Sequence, residues 1–252
     1  MPKTTNRPTP KRAAKAEPAA PAEAADAREP RGARRKRETR ARLLEAALKL
    51  MAVKGMEGVA INEITEAADV GFGSFYNHFE SKEAIYATLV ESVFEDFADW
   101  LDRLTTGLSD PAEVVAVSVR YTLMRAHREP LWGQFLVREG FSSRMLGRGL
   151  GQRLLRDVQR GIAAKRFTVA DPFVGFLSVG GTVLAAVTAE LSFVAPGAPS
   201  ADALEGLGFS GEHLAERVAC ALLQTLGLKR AEAEKVAMRP LPVPLEPAVE
   251  AD

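Results

Sequence analysis

The segment 70–83, with the sequence VGFGSFYNHFESKE, constrains the fold more than any other part of the chain. Gly71 allows a sharp turn that a Cβ atom would resist. Phe75 and Phe79 are four residues apart, so they share one face of a short helix and can anchor it to a core. Ser81 suits the N-cap of a further helix. The pattern predicts a tight turn, a short helix and a second helix start.

The remaining side chains of this short helix give it a small surface without acidic groups. They are Gly73, Ser74, Tyr76, Asn77 and His78. A short rigid helix that follows a tight turn and presents such a surface is what a helix-turn-helix uses to read the major groove. The segment therefore favours DNA binding.

Charge is distributed unevenly along the chain, although the 33 basic and 33 acidic residues cancel overall. Residues 1–37 contain 11 Lys and Arg against four acids, a net charge of +7 that leaves −7 for the remainder. From Pro2 to Arg42 there is no large apolar side chain. Because nothing there offsets the entropy of ordering, residues 1–37 are predicted to form a disordered basic tail.

The end of this tail carries a basic cluster that runs into the first predicted helix. Its members are Arg31, Arg34, Arg35, Lys36, Arg37, Arg40 and Arg42. Cations held close to a DNA-reading surface are well placed to contact phosphates or the minor groove. Residues 1–30 are equally compatible with a solvated tail that has no specific role.

Apolar residues recur at helical spacing through most of the remaining chain, without the alternation typical of strands. The predicted fold class is therefore all-α. In the first helix, Leu44, Ala47, Leu48 and Met51 are expected to face the core. The predicted helices span about 38–54, 61–68, 81–104, 110–130, 131–138, 143–164, 172–192, 210–226 and 230–238, with a loop at 195–209 and a Pro-rich tail at 240–252.

Residues 172–189 contain no charged side chain. The length is close to that of a membrane span. Glycine and threonine dilute the hydrophobicity, however, and the segment lacks flanking basic clusters and aromatic belts. A helix buried on most sides, as at a subunit interface, fits the composition better than a membrane helix.

Other features point away from an enzyme or a metalloprotein. Cys220 is the single cysteine, which excludes an intrachain disulfide and suits a reducing compartment, and no secretory signal opens the sequence. His127 and His213 lack the spacing of metal ligands. No nucleophile motif or phosphate-binding loop stands out. We therefore expect a cytoplasmic protein with no cofactor, no metal and no catalytic residue.

The segment 40–91 closely resembles the DNA-binding region of the TetR family of bacterial transcriptional regulators. The resemblance implies a three-helix N-terminal domain with the helix-turn-helix, here residues 38–84. It implies a C-terminal helical domain, residues 85–239, that binds a ligand and forms the homodimer through the helices at 172–192 and 210–226. The implied function is repression from a palindromic double-stranded DNA operator, relieved by a small-molecule effector.

Carried over position by position, the resemblance makes Asn62 a base or backbone contact and Asn77 a residue that can face bases. Gly71 and Phe72 match the turn and the start of the recognition helix. The positions that match phosphate contacts are Ser74, Tyr76, His78 and Lys82. With Gly73 and part of the basic cluster, the predicted DNA-binding residues are Arg34, Arg35, Arg37, Asn62, Gly71, Phe72, Gly73, Ser74, Tyr76, Asn77, His78 and Lys82.

Two positions depart from the family pattern. Phe72 stands where a polar or basic residue is common. It could touch a thymine methyl group, or it could extend the core stripe of Phe75, and the sequence leaves both open. Ala60 stands where the family often has a Thr or Ser cap for the second helix, so that cap is expected to be missing.

The C-terminal half combines large apolar side chains with scattered polar ones, which predicts an apolar cavity with a few polar groups. Each side chain alone is as well explained by core packing. The predicted ligand-binding residues are Tyr121, Met124, Arg125, Trp132, Phe135, Arg138 and Phe176. A small, largely apolar effector bound there is expected to tilt the helix at 81–104 and alter the spacing of two recognition helices.

Two other functions remain open at this point. One is a DNA-binding dimer that senses no small molecule, such as a constitutive repressor or an architectural protein. The other is an all-α enzyme or interaction module with a vestigial helix-turn-helix. The presence or absence of a ligand-sized cavity would distinguish a ligand-controlled regulator from a dimer that senses no small molecule. Failure to bind DNA at low salt would favour the enzyme or interaction module.

Overall fold

The computed structural model describes residues 31–140, 149–194 and 211–243. Within these ranges the chain is helical and has no strand, which confirms the all-α prediction. The predicted tail at 1–30, the start of the helix at 143, the loop at 195–209 and the Pro-rich tail from 244 onward lie outside the described residues.

The helices follow the predicted order with shifted ends. The helix predicted at 81–104 is continuous but contains a π-helical segment, Glu91–Asp96, that the sequence did not predict. The helices are α1 Arg31–Lys54, α2 Ile61–Ala67, α3 Phe72–Tyr76, α4 (Lys82–Val90, Glu91–Asp96 and Phe97–Thr105), α5 Pro111–Arg128, α6 Pro130–Glu139, α7 Gly149–Ala163, α8 Pro172–Val194, α9 Leu214–Thr225 and α10 Arg230–Ala237.

Helix α1 differs from the prediction at its start and in its buried face. It includes Arg31 and so begins before Glu38, which means that residues 31–37 are helical and the prediction of disorder is wrong for them. The deepest core positions are Leu43, Ala47 and Met51, while Leu44 and Leu48 are only partly buried. The sequence pattern therefore predicted the helix correctly, but the buried face lies slightly rotated about the helix axis from the predicted one.

The turn between α2 and α3 depends on Asp69 rather than on Gly71. Asp69 adopts the left-handed conformation with φ 51°, and the Val70 amide donates to the Thr65 carbonyl at 3.0 Å to close α2. Aspartate tolerates this conformation better than most residues. Gly71 has φ −65°, and a Cβ atom there would meet the Ser74 hydroxyl oxygen at 3.8 Å, an ordinary contact distance, so the expected need for glycine at this turn is wrong.

Local capping explains where the neighbouring helices begin. Ser81 accepts a hydrogen bond from the Ala84 amide at 3.2 Å, as predicted, and so satisfies one free amide of α4. Ala60 provides no side-chain cap for α2. Its amide instead donates to the Glu63 carboxylate at 2.9 Å, and Lys54 pairs with the same carboxylate at 2.5 Å. These contacts replace part of the missing cap.

Helix α8 forms the centre of the C-terminal domain, where it contacts α5, α6, α7 and α9. Among the described helices, it is the one that is long and apolar enough to cross a membrane by length and composition. One side packs into the protein through Phe176, Val179 and Val187. The opposite side exposes an uncharged stripe, defined by Phe173, Val174, Leu177, Thr182, Ala185, Thr188 and Ala189.

Candidate DNA-binding surface and ligand cavity

The recognition helix α3 separates its buried and exposed aromatic residues cleanly. Phe75 is fully buried and Phe79 is 5 % exposed, as their spacing predicts. Phe72 and Tyr76 are 53 % and 52 % exposed, and their rings meet edge to face with centroids 5.7 Å apart. The alternative in which Phe72 extends the core is therefore wrong, and Phe72 belongs to the outer surface.

The other predicted DNA-binding residues surround this aromatic pair in sequence and differ in exposure. Those on the open surface are Asn62, Gly71, Gly73 and Asn77, whereas Ser74, His78 and Lys82 are half-buried. A Cβ atom at Gly73 would meet nothing within 4 Å, so this glycine leaves room for a close partner. Small and polar groups around two exposed rings suit contact with DNA bases and backbone.

Electrostatics around α3 depend on α1. Burial lowers the pKa of His78, and the nearby positive charges of Lys36 and Arg40 lower it further. Arg34 donates to Glu38 at 2.8 Å, so part of the predicted basic surface is neutralised within α1 itself. Arg35 and Arg37 are exposed on the same helix.

The C-terminal domain contains a cavity of about 110 Å³ between α4, α5, α6, α7 and α8. An apolar cavity of about 150 Å³ is enough to bind benzene, so the space is close to the size of a single aromatic ring. Most of the wall is apolar and comes from Phe94, Ala98, Leu101, Val115, Val119, Leu136, Leu150, Leu154, Phe176, Val179, Val183 and Leu184.

One edge of the cavity is polar and contains Asp102, Arg153 and Asp157, with Ser118 and Thr122 nearby in the wall. Arg153 donates to Asp102 at 2.9 Å. Arg156, which is not part of the lining, donates to Asp102 at 2.7 Å and to Asp157 at 2.9 Å. The edge therefore has charged groups that are already oriented by one another.

The two carboxylates at this edge have opposite pKa shifts. Burial raises the pKa of Asp157, and the hydrogen bond from Arg156 offsets this only in part. Burial also acts to raise the pKa of Asp102, but hydrogen bonds from Arg156 and Arg153 outweigh it and the pKa lies below the ordinary value. The two arginines thus stabilise the ionised form of Asp102. Within the described part of the chain, the Asp157 carboxylate receives a hydrogen bond from Arg156 alone, which does not outweigh the effect of burial.

Of the seven predicted ligand-binding residues, Phe176 lines the cavity and the other six lie elsewhere. Trp132 and Phe135 are buried core residues. The Arg125 guanidinium lies 4.8 Å from the Trp132 ring centroid and close to the Phe97 ring. These three residues do not line the cavity, because side chains suited to a cavity are also those that fill a core.

The remaining three predicted residues contact other parts of the chain. The Tyr121 hydroxyl donates to the Pro242 carbonyl at 2.5 Å, so it holds the segment after α10. Met124 is half-buried on α5 and does not line the cavity. Arg138 donates to the Val53 carbonyl at 2.9 Å and therefore joins α6 to the end of α1.

Two elements connect the cavity wall directly to the DNA-binding domain. Helix α4 contributes Ile85 and Leu89 to the core near its start and Phe94 and Leu101 to the cavity. Leu136 and Gly140, at the end of α6, also line the cavity. A change in the cavity can thus reach α1 and α4 without crossing a flexible linker.

Sequence reasoning missed Asp102, Arg153 and Asp157 because their partners come from distant helices. Each resembles an ordinary surface charge when considered alone. The available signal was the spacing of Arg153 and Asp157, which are four residues apart and so share a face of α7 with Leu150 and Leu154. A charged pair on an otherwise apolar face is unusual for a fully solvated helix surface.

Comparison with known proteins agrees with both parts of the structure. Residues 43–89 match the family described as bacterial regulatory proteins, tetR family. Residues 110–239 match the tetracyclin repressor-like C-terminal domain. The second match covers more than half of the 252-residue chain.

Individual relatives are transcriptional repressors. DhaR of Mycobacterium sp. (strain GP1) is 36 % identical over 103 residues, which cover 41 % of this chain and 50 % of DhaR. KstR2 of Mycolicibacterium smegmatis is 39 % identical over 62 residues, which cover 25 % of this chain and 28 % of KstR2. The chain thus spans half or less of these two relatives in the matched regions.

Solved structures extend the similarity over most of the chain. RolR in complex with resorcinol is 34 % identical, with a TM-score of 0.58, and the match covers 84 % of this chain and 99 % of RolR. RolR without ligand is 35 % identical with the same TM-score, over 81 % of this chain and 98 % of RolR. Together with the helix-turn-helix and the helical C-terminal domain, these matches show that the chain belongs to the TetR family of DNA-binding transcriptional regulators, which are not enzymes.

Proposed function

We propose that this protein is a homodimeric repressor that binds a palindromic operator and leaves it when a small effector fills the C-terminal cavity. The observation that carries the proposal is that α4 belongs both to the DNA-binding core and to the cavity wall. A regulator that acts on DNA is expected in the cytoplasm. The cavity favours this function over a ligand-independent or architectural DNA-binding dimer.

The proposed effector is a single aromatic ring that carries one or more hydroxyl groups. The volume of about 110 Å³ fits one ring, and the apolar wall suits its faces. Asp157 and Arg153 provide an acceptor and a donor at one edge, where a hydroxyl could replace hydrogen bonds to water. The complex of RolR with resorcinol, a benzenediol, supports this ligand class.

The proposed dimer forms through α8 and α9. The exposed stripe of α8 is uncharged over its described length and includes Phe173, Val174 and Leu177, each more than one third exposed. A contiguous apolar helix face at the surface of a soluble protein is typical of an interaction site. Two-fold symmetry would present the two α3 helices to half-sites about 34–36 Å apart.

Release follows from differential affinity for two arrangements of α4. An effector shifts the equilibrium only by as much as it prefers one arrangement. Phe94 and Leu101 line the cavity on α4, so a bound ring that pushes them apart from α7 would move the start of the same helix. Because the two α3 helices of the dimer must bind both half-sites at the same time, a small change in the spacing between these helices weakens DNA binding.

The test uses resorcinol as the probe and toluene as a control of similar size without hydroxyl groups. Resorcinol is expected to raise the thermal midpoint of the full-length protein and to weaken its binding to a duplex selected from a randomised library. Toluene should do less of both, because a site with buried polar groups discriminates against a ligand that leaves them unpaired. A resorcinol complex that leaves DNA affinity unchanged would contradict the release mechanism.

Asp157→Asn is the matching variant, because it removes the charge and keeps the size of the side chain. It should bind the selected duplex as the wild type does and respond less to resorcinol. Sedimentation of the wild type and of Leu177→Glu tests the dimer separately. A monomeric wild type would reject the dimer, whereas a shift to monomer in the variant supports α8 as the interface.

A further inference from the structure

Two residues of the basic cluster lie on the face of α1 that turns toward the recognition helix. Lys36, Arg40, Leu43 and Ala47 follow one another at intervals of four, three and four residues, so they share one helix face. Leu43 and Ala47 are fully buried. On the N-terminal side of Leu43, the same face carries the exposed cations Lys36 and Arg40.

Contacts near α3 agree with this geometry. The Arg40 guanidinium carbon lies 5.0 Å from the centroid of the Phe79 ring. Phe79 follows His78 in the chain, just after the end of α3 at Tyr76. The pKa of His78 is lowered first by burial and then by Lys36 and Arg40, so both cations lie close to that imidazole.

The described residues around Lys36 and Arg40 do not neutralise their positive charge. Among the residues that the structure describes, no carboxylate forms an ion pair with Lys36 or Arg40. Because the pKa of His78 lies below its ordinary value, the imidazole is mostly neutral at pH 7. The positive charges that act on His78 therefore come from α1.

Arg34 differs from these two residues in position and in pairing. It precedes Leu43 by nine residues, or two and a half helical turns, which places it on the opposite face of α1. Its guanidinium also pairs with Glu38 at 2.8 Å. The predicted role of Arg34 as a DNA contact therefore has less support than the same role for Lys36 or Arg40.

We propose that Lys36 and Arg40 bind one DNA backbone phosphate beside His78, at the C-terminal end of the recognition helix, and that Arg34 takes no part. The inference rests on the proposed DNA-binding function and assigns part of the DNA-binding surface to helix α1. Because α1 is helical here, the two cations need less ordering on binding than a disordered arm would. A phosphate contact sets the register of α3 in the groove but reads no sequence.

The test measures the affinity of the full-length chain for a duplex that it has selected from a randomised library, at several salt concentrations. Lys36→Gln and Arg40→Gln remove one charge each, and Arg34→Gln is the matched control on the opposite face. Each of the first two variants should weaken binding several-fold and reduce the slope of log affinity against log salt, and the two substitutions together should reduce it by about one, the value for a single phosphate contact. Arg34→Gln should change neither quantity.

Arg40→Lys separates the charge from the packing on Phe79. It should retain the salt slope of the wild type if the charge binds phosphate, and thermal midpoints verify that each variant is folded. Equal losses in Arg34→Gln, or unchanged slopes in Lys36→Gln and Arg40→Gln, would overturn this inference while the wild type still selects a sequence. A wild type that selects no sequence would instead overturn the proposed function, and this inference with it.

Discussion

The Tyr86 hydroxyl donates a hydrogen bond to the Glu139 carboxylate at 2.6 Å, which joins the start of α4 to the end of α6. Tyr86 is 6 % exposed, so little water competes for this bond. Glu139 adjoins Gly140 in the cavity wall and Arg138, which donates to the Val53 carbonyl of α1. The end of α6 therefore contacts the cavity and two helices of the DNA-binding domain.

Removal of this hydrogen bond should loosen the junction between the domains. A double-mutant cycle with Tyr86→Phe and Glu139→Gln is expected to give a coupling free energy of unfolding of about 1–2 kcal/mol, since the acceptor is charged. Denaturant unfolding of the four proteins measures it. Additive effects of the two substitutions would show that the bond contributes no stability.

Phe72 and Phe75 should give opposite results although they are three residues apart. Phe75→Ala removes a fully buried ring and is expected to cost about 3–5 kcal/mol of the free energy of unfolding. Phe72→Ala removes a half-exposed ring and should change stability by less than about 0.5 kcal/mol. DNA affinity should fall in Phe72→Ala at unchanged stability. Comparable destabilisation by the two variants would contradict the assigned orientation of α3.

Arg120 is expected to stabilise the C-terminal domain. It is 8 % exposed, pairs with Glu216 at 2.8 Å and donates to the Arg239 carbonyl at 2.6 Å. Arg120→Ala would leave the partly buried Glu216 carboxylate without this partner, with an expected cost of about 3 kcal/mol. The control is Arg230→Ala, which breaks an exposed pair with Glu234 on a helix surface. Urea unfolding should detect a loss in the first variant and no measurable loss in the second.

The lowered pKa of His78 predicts a loss of folding stability in mild acid. The unfolded chain has the ordinary histidine pKa of 6.5 and the folded chain has a lower one. Between these two pKa values the unfolded state binds more protons, so stability decreases as pH falls through this window. His78→Gln should lack this contribution. Unfolding free energies of both proteins between pH 7.5 and pH 5 test it, and parallel curves would contradict the assignment.

The sequence predicted the features that depend on local spacing. Phe75 and Phe79 identified the inner face of α3, and Ser81 identified the start of α4, because each signal lies within one or two turns of helix. Asp69 was missed as the left-handed residue because several residues in that turn could adopt the conformation. The sequence therefore predicted where the turn lies but not which residue adopts the left-handed conformation.

The cavity could not be predicted because it depends on contacts between distant helices. Arg153 of α7 meets Asp102 of α4 across 51 positions of the chain, with Asp99 beside it. Trp132 and Phe135, in contrast, have the composition of a ligand site and are buried in the core. Composition gives the side chains available for a cavity, and only tertiary packing decides which of them surround it.

The most direct measurement of the central claim is selection by the full-length protein from a randomised duplex library, with and without resorcinol. We expect enrichment of one palindromic motif with two half-sites about one helical turn, or a multiple of it, apart, and reduced recovery of that motif when resorcinol is present. Salt-sensitive binding without an enriched motif would contradict the account of a sequence-specific dimeric regulator. A motif recovered equally with and without resorcinol would contradict its control by this ligand.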